Sequence, residues 1–413
     1  MGGEVQCVLD GVELTHAVHS AVEAYASHIL GFASALVQHR SVTGHEEQVA
    51  REVEKVLRQL GYDEVFVDRL GNVVGRMGVG ACCLLLDSHM DTVDVIDGAQ
   101  WGTDPFGGEI RDGRLWGRGS VDMKGALACA VYAGAIAKQL GLLDGVTLYV
   151  VGSVMEEEYD GEALKCLIEE LEMKPHAAVM CEATSLDIGR GHRGRALIEV
   201  TVQGKSAHGS QPELGINPVY GLRGVIERVA ELAQRLPCGA DHGSIAVTGL
   251  SCVTASTNSV PESASLLLDR RLSVGEDYDC LSQEMEHLLE GIDGSWRICD
   301  IPGTTWRGEP ITLHSFLPAW EVEADCPLVQ AAAGACRNVL GREVERIKLG
   351  CSTNAVATAG LLHIPTIVLG PGDLKYAHGK DEFCPVDQLL QACEIYVQLC
   401  ANLGDVQTHL DRA

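Results

Sequence analysis

The run Leu84-Leu85-Leu86-Asp87-Ser88-His89-Met90-Asp91 constrains the fold more than any other stretch of this chain. Its apolar part is short, does not alternate and ends on polar residues, the pattern of a strand buried on both faces. A histidine and an aspartate two residues apart then fall where an α/β sheet presents chemistry, at the carboxyl end of a strand. Asp122, Glu157, Glu182 and His378 recur downstream, each at a similar strand end or glycine-containing turn. One nitrogen ligand and one terminal carboxylate per metal, with one carboxylate shared, outline a two-metal site suited to a borderline cation such as zinc.

Helices and strands alternate around that run. Helical periodicity over about residues 21–60 breaks at Ser41-Val42-Thr43-Gly44, and an amphipathic helix begins at Glu46. Strands are predicted at 64–68, 72–76 and 81–87, a helix of small residues at 125–138, a β-branched strand at 146–155 and another strand at 177–182. This is α/β architecture. The middle third reads differently: strand 195–202, helix 217–236, strands 244–251 and 263–273, helix 278–291 and strand 295–299. That order is the split βαβ pattern of a small sandwich inserted as a unit. A helix at 327–340 and an apolar strand at 366–369 return to the first style. We therefore expect a discontinuous domain of residues 1–190 and 303–413, with residues 191–302 inserted.

Composition narrows the functions such a fold can carry. With 413 residues, 46% of them hydrophobic, the chain can fill the cores of roughly two to three domains. Acidic residues number 58 against 31 basic, a formal net charge of -27, and no Lys/Arg run occurs, so neither nucleic acid nor an anionic membrane is an expected partner. The 16 cysteines lie scattered, often in apolar stretches such as Cys82-Cys83 and Cys129, with no CxxC pair. That suits buried free thiols in a reducing cytosol better than a disulfide framework. Met1-Gly2-Gly3-Glu4-Val5-Gln6 has neither a basic nor an apolar targeting region, and Gln6 spoils a myristoylation match. No apolar stretch is long enough to span a bilayer. A cytoplasmic protein is expected.

Taken singly, the candidate ligands are weak signals. A lone strand-end histidine is most often structural, but Asp91 can place a carboxylate on the opposite ring nitrogen of His89, fixing its tautomer and raising its basicity. Asp122 sits in Gly117-Arg118-Gly119-Ser120-Val121-Asp122-Met123-Lys124-Gly125, where helix capping is the ordinary role of such an aspartate. Glu156-Glu157-Glu158 abuts a buried strand and precedes the turn Asp160-Gly161. A solvated charge run is the plain alternative to one acid binding metal while its neighbour takes a proton. Glu182 repeats the strand-end placement, and His378 follows the turn Gly370-Pro371-Gly372. Their joint occurrence in this order is specific where each alone is not.

On these residues the chain resembles the co-catalytic zinc amidohydrolases and peptidases. That family includes succinyl-diaminopimelate desuccinylase, acetylornithine deacetylase, aminoacylase and the glutamate-releasing carboxypeptidases. The resemblance runs from about Glu23 to Leu403 and is nearest to a peptidase-like branch with Ser-Thr-Asn and Gly-Pro-Gly-Asp stretches. It implies a zinc-peptidase-like catalytic domain, a central mixed sheet flanked by helices, and an inserted α+β ferredoxin-like lid. It implies two zinc ions, with cobalt or manganese as substitutes: His89 and Glu182 on one, Glu157 and His378 on the other, Asp122 bridging. Glu156 becomes the general base and Asp91 the residue that orients His89, with Glu157 and Glu158 as the alternative base and ligand.

The inserted domain resembles a lid that in many members also mediates dimerisation. His208, in Gly204-Lys205-Ser206-Ala207-His208, matches the lid histidine that helps hold the oxyanion, often from the opposite subunit. Asn258 and one arginine of Arg270-Arg271 match positions that hold a substrate carboxylate. Successive strand residues face opposite sides, and the following Leu272-Ser273 selects Arg271. Asn354, in Gly350-Cys351-Ser352-Thr353-Asn354, stands where many relatives carry an aspartate near the substrate and is read as substrate-binding. The implied reaction is hydrolysis of the amide bond of a small N-acyl or N-carbamoyl amino acid by two-metal-activated water. A dipeptidase or aminopeptidase is the alternative within the family. A silent binding or scaffold protein is the alternative outside it, opposed by intact candidates for every ligand and for the base.

Overall fold

The structure, a computed structural model, describes residues 11–96, 98–237 and 242–410, with side chains through residue 403. The N-terminal residues read above for targeting lie outside the described residues. A mixed sheet organises the larger part of the chain. Its strands run in the spatial order Glu64–Val67, Val73–Met77, Val146–Ser153, Cys82–His89, Ala177–Met180, Thr366–Val368, Ile188–His192 and Trp320–Glu321, and Arg346–Leu349 also pairs with Ile188–His192. Cys82–His89 lies parallel to both Val146–Ser153 and Ala177–Met180, and Thr366–Val368 lies parallel to Ala177–Met180.

Helices cover both faces, which explains the unalternating strands. Leu84 and Leu86 join the core under the helices Gly11–Gln38, Lys124–Gln139, Pro327–Leu340 and Val386–Leu410, while Leu85 joins a second core beneath Glu162–Glu170. Each such leucine contributes about 1.5–3 kcal/mol by leaving water. Parallel strands all present their carboxyl ends on one edge, and that edge carries the site described below.

The inserted part is a separate antiparallel sheet in the order Ser244–Val253, Ser263–Leu272, Gly194–Gln203, Gly294–Ile298. Ser263–Leu272 alternates half-buried and buried residues, and the buried set packs under the helices Pro218–Arg235 and Tyr278–Leu288 as a core of its own. The predicted strand-helix-strand-strand-helix-strand order matches these elements. Unanticipated were the hairpin Asp300–Thr304 with Pro310–His314, the short strand Ile188–His192 and the C-terminal helix. The strand predicted at 146–155 ends at Ser153, because Met155 turns into the left-handed region at φ 64°.

Candidate metal centre

The carboxyl edge of the parallel strands gathers residues far apart in sequence. His89 closes its strand, Glu156 and Glu157 open the turn after Val146–Ser153, and Glu182 lies two residues beyond Ala177–Met180. Asp122 precedes the helix Lys124–Gln139, and His378 sits in a loop at φ 60°. A left-handed non-glycine residue is uncommon, and such residues cluster at sites where geometry is enforced.

The ligand atoms converge on Asp122. His89 Nε2 lies 3.0 Å from Asp122 Oδ1 and 3.3 Å from Glu182 Oε1. His378 Nε2 lies 3.1 Å from Asp122 Oδ2 and 3.0 Å from Glu157 Oε2. Two groups result, His89-Asp122-Glu182 and Asp122-Glu157-His378, each with donor atoms within 4.8 Å of one another. The aspartate thus turns one oxygen to each histidine.

Second contacts fix these donors. Glu157 Oε1 accepts the Val93 N–H at 3.0 Å. His89 Nδ1 lies 2.9 Å from the Asp91 backbone carbonyl and 3.6 Å from its carboxylate. Both acceptors of Asp91 thus face that nitrogen, the carbonyl nearer than the carboxylate, which keeps the proton on Nδ1 and leaves Nε2 free to ligate. Asp91 uses its carboxylate elsewhere, accepting the N–H groups of Glu156 and Glu157 at 3.0 Å each.

The loop before Asp122 is held by an acid that the sequence did not single out. Glu382 Oε1 accepts the N–H groups of Gly119, Val121 and Asp122 at 2.9, 3.0 and 3.3 Å, and Oε2 accepts from Arg118. Gly117 makes the path possible: at φ 132°, a Cβ there would stand 2.5 Å from Val37 Cγ1. Glu382→Ala is expected to weaken metal affinity about 10–100-fold, as loss of an outer-sphere partner does. Glu382→Gln, which keeps an acceptor oxygen, should lose less; competition against a chromogenic chelator measures both.

The electrostatics fit a pair of cations. Burial, then the neighbouring acids, push Glu156 well above the carboxylate range, raise Glu157 and lift Glu182 to about 7. Burial opposes charge on His89, yet Glu156, Glu182 and Asp122 hold its pKa well above normal. His378 is pushed up to about 10 by its bonds to Asp122 and Glu157. Burial works against Asp122 too, but the two imidazoles keep it below the usual range. Among the described residues, the ion-pair partners of Asp122, Glu157 and Glu182 are these imidazoles alone. Buried acids this short of positive charge, with imidazole and carboxylate donors interleaved, are the chemistry that zinc, cobalt or manganese takes.

Residues 85–402 match the sequence profile of Peptidase family M20/M25/M40. The chain belongs to this family. The uncharacterized protein YgeY of Escherichia coli (strain K12) is 32% identical over 381 residues, covering 91% of this chain and 94% of that protein. Acetylornithine deacetylase of Vibrio atlanticus (strain LGP32) is 30% identical over 322 residues, covering 76% and 80%. Among solved structures, the YXEP protein of Bacillus subtilis, titled a dinuclear metal binding peptidase from the M20 family, gives a TM-score of 0.68 at 14% identity, covering 93% of this chain and 99% of that one. At that identity the likeness shows the fold. The protein is a metallohydrolase of amide or peptide bonds.

The remaining candidates fall in four places. Glu156 is buried with Oε2 3.7 Å from His89 Nε2, whereas Glu158 is exposed. His208 and Asn258 lie together on exposed lid loops, where Gly209 N–H donates to Asn258 O at 2.6 Å and His208 Nδ1 pairs with Ser210; neither touches the metal ligands. Arg270 faces the lid helices, bound to Glu284 and Glu276, while Arg271 points to the opposite face and pairs with Asp269 at 2.8 Å. Asn354 is buried beneath the site, where its amide nitrogen donates to Asp87 at 2.8 Å and Ser153 at 2.9 Å, leaving its amide oxygen as the group that a substrate could reach. Asn354→Leu is expected to take one of the two side-chain hydrogen bonds from the buried Asp87 carboxyl and cost about 1–3 kcal/mol, read as a lower denaturation midpoint in urea.

Two further residues escaped the sequence reading. Cys351 is half-buried close to Glu182, Glu156 and Asp122, and burial foremost raises its thiol. Arg195 lies directly across the sheet from Arg271 and shares its partner Asp269 at 3.1 Å. Both guanidiniums act on Asp160, which closes the turn begun by Glu156 and whose carboxyl burial raises. Neither residue carries a motif, because only strand register and loop packing bring Arg195 toward Asp160 and Cys351 toward the donor groups.

Proposed function

We propose that this enzyme hydrolyses the amide bond of a small N-acyl or N-carbamoyl amino acid and releases the free amino acid. The observation that carries the reading is a buried Glu156 placed beside two groups of metal donors that share Asp122. The named activity of the Vibrio relative, deacetylation of acetylornithine, belongs to this class. His89 and Glu182 would hold one cation, Glu157 and His378 the other, and Asp122 both, with zinc the first choice and cobalt or manganese suited to the same donors. When bound, the pair lowers the pKa of water and polarises the amide carbonyl. Glu156 takes the proton of the attacking water and returns it to the leaving amine. Arg271, with Arg195 beside it, and Asn258 hold the substrate carboxylate; His208 donates to the oxyanion after lid closure.

The proposed division is a catalytic domain of residues 1–190 and 303–413 and a lid of residues 191–302. Ser244–Val253 is a sheet edge with exposed Val247, Leu250 and Val253. Such an edge supports pairing with a second copy, which would bring His208 to the neighbouring site. The described cysteines are all free, which supports a cytoplasmic location, and among the described residues no helix is long and apolar enough to cross a membrane.

A panel of N-acyl amino acids, N-carbamoyl amino acids and unblocked dipeptides, scored for free amine with metal-loaded enzyme, tests the reading. Turnover of blocked amino acids is expected; turnover of dipeptides alone would make the enzyme a dipeptidase. On the best substrate, Arg271→Met is expected to lose about 2 kcal/mol of binding, a KM about thirtyfold higher with kcat little changed. An unchanged KM would remove the carboxylate contact.

A further inference from the structure

The acid at the head of the helix Glu47–Gln59 does not serve that helix. Glu46 holds its N-cap position but makes no cap bond, although an acid there ordinarily favours the first turn of its own helix. The side chain is wholly buried and crosses to another element. Its Oε1 accepts the Gly44 N–H at 3.0 Å and the Met155 N–H at 3.1 Å. The next two N–H groups along the chain, those of Glu156 and Glu157, go to the two oxygens of Asp91, and Thr43 Oγ donates to Asp91 Oδ2 at 2.9 Å. Three successive backbone donors are therefore held by two carboxylates from separate segments. The turn needs holding, since Met155 stands at φ 64°, a conformation that a side chain with a Cβ seldom adopts unless its surroundings enforce it.

We propose that Glu46 is a positioning residue for hydrolysis, its Oε1 fixing the left-handed Met155 and so aiming Glu156 at the metal centre. This rests on the reading of Glu156 as the base. The second oxygen of Glu46, Oε2, is buried with no hydrogen-bond partner. Burial foremost, then the neighbouring Asp91, push the Glu46 carboxyl up to about 8. Two buried carboxyls this close favour one neutral member, and a proton on Oε2 leaves Oε1 as the working acceptor. An amide at position 46 offers the same acceptor, whereas an apolar or shorter side chain does not.

Steady-state kinetics of Glu46→Gln, Glu46→Leu and Glu46→Asp, with metal content measured on the same samples, test the proposal. Glu46→Gln is expected to keep kcat within about threefold of the native value. Glu46→Leu, which fills the space without an acceptor, is expected to lose about 10²-fold in kcat, the scale of a small misplacement at a reacting centre, with KM and metal content unchanged. Glu46→Asp keeps the acid but withdraws the acceptor by one methylene, and is expected to lose about tenfold; it carries the test if the leucine variant fails to fold. Native kcat in the leucine or aspartate variant overturns the proposal. So does a glutamine variant as impaired as the leucine one. Full activity in Glu156→Gln would remove the base itself, whereas an inactive Glu156→Gln beside a fully active Glu46→Leu removes only the role of Glu46.

Discussion

Replacing Glu156 with glutamine is expected to lower turnover about a thousandfold, the mid-range contribution of a general base, while the protein keeps its full complement of metal. The physical reason is division of labour along one turn. Glu157 turns its carboxylate to His378 at 3.0 Å and has its other oxygen fixed by Val93, so it is committed as a donor to the centre. Glu156 is the buried neighbour without such a commitment, its Oε2 3.7 Å from His89 Nε2, which leaves it to accept and return a proton beside the donor groups. Parallel measurement of kcat and of bound metal decides the matter: an active variant contradicts the assignment, and an inactive variant that has also lost metal makes Glu156 a ligand. Mixing Glu156→Gln chains with His208→Ala chains under conditions of confirmed subunit exchange is expected to restore part of the activity. Absence of rescue would place His208 outside the partner's site.

Asp122→Ala is expected to abolish binding at both positions rather than one, and with it all turnover. Its two oxygens lie 3.0 and 3.1 Å from the two imidazoles, so it belongs to both donor groups. Removing it also takes away the acid on which the opposing charges of the centre depend, leaving His89 and His378 each with one ligand partner, Glu182 or Glu157. His378→Ala, by contrast, should spare the His89 and Glu182 position. Elemental analysis of both variants after metal loading and desalting measures the difference; a single retained cation in Asp122→Ala would contradict the bridging role.

The sheet and its chemistry were legible because both obey local rules. Leu84 to Leu86 read as a buried strand since helices cover both faces, and the strand-end position of His89 follows from the parallel direction of its neighbours. The order of strands and helices over 195–299 exposed the sandwich, because each of its elements is a local pattern. What stayed hidden depends on long-range packing. Glu382 clamps the Asp122 loop from more than two hundred residues away in sequence, Arg195 meets Arg271 only through strand register, and Asn354 turns beneath the sheet toward Asp87. The Asp91 carboxylate, expected on an imidazole, lies 3.6 Å from it and also holds the backbone of Glu156 and Glu157, while the Asp91 carbonyl stands nearer the ring at 2.9 Å. No spacing rule carries that choice between two acceptors of one residue.

The central claim, that five side chains enclose two cations, is tested most directly by an anomalous difference map from a zinc-loaded crystal recorded on both sides of the zinc edge. Two peaks are expected at about 2.0–2.2 Å from their nitrogen and oxygen ligands, one bound by His89 and Glu182, the other by Glu157 and His378, and both reached by Asp122. A single peak, or peaks bound by other residues, would contradict it.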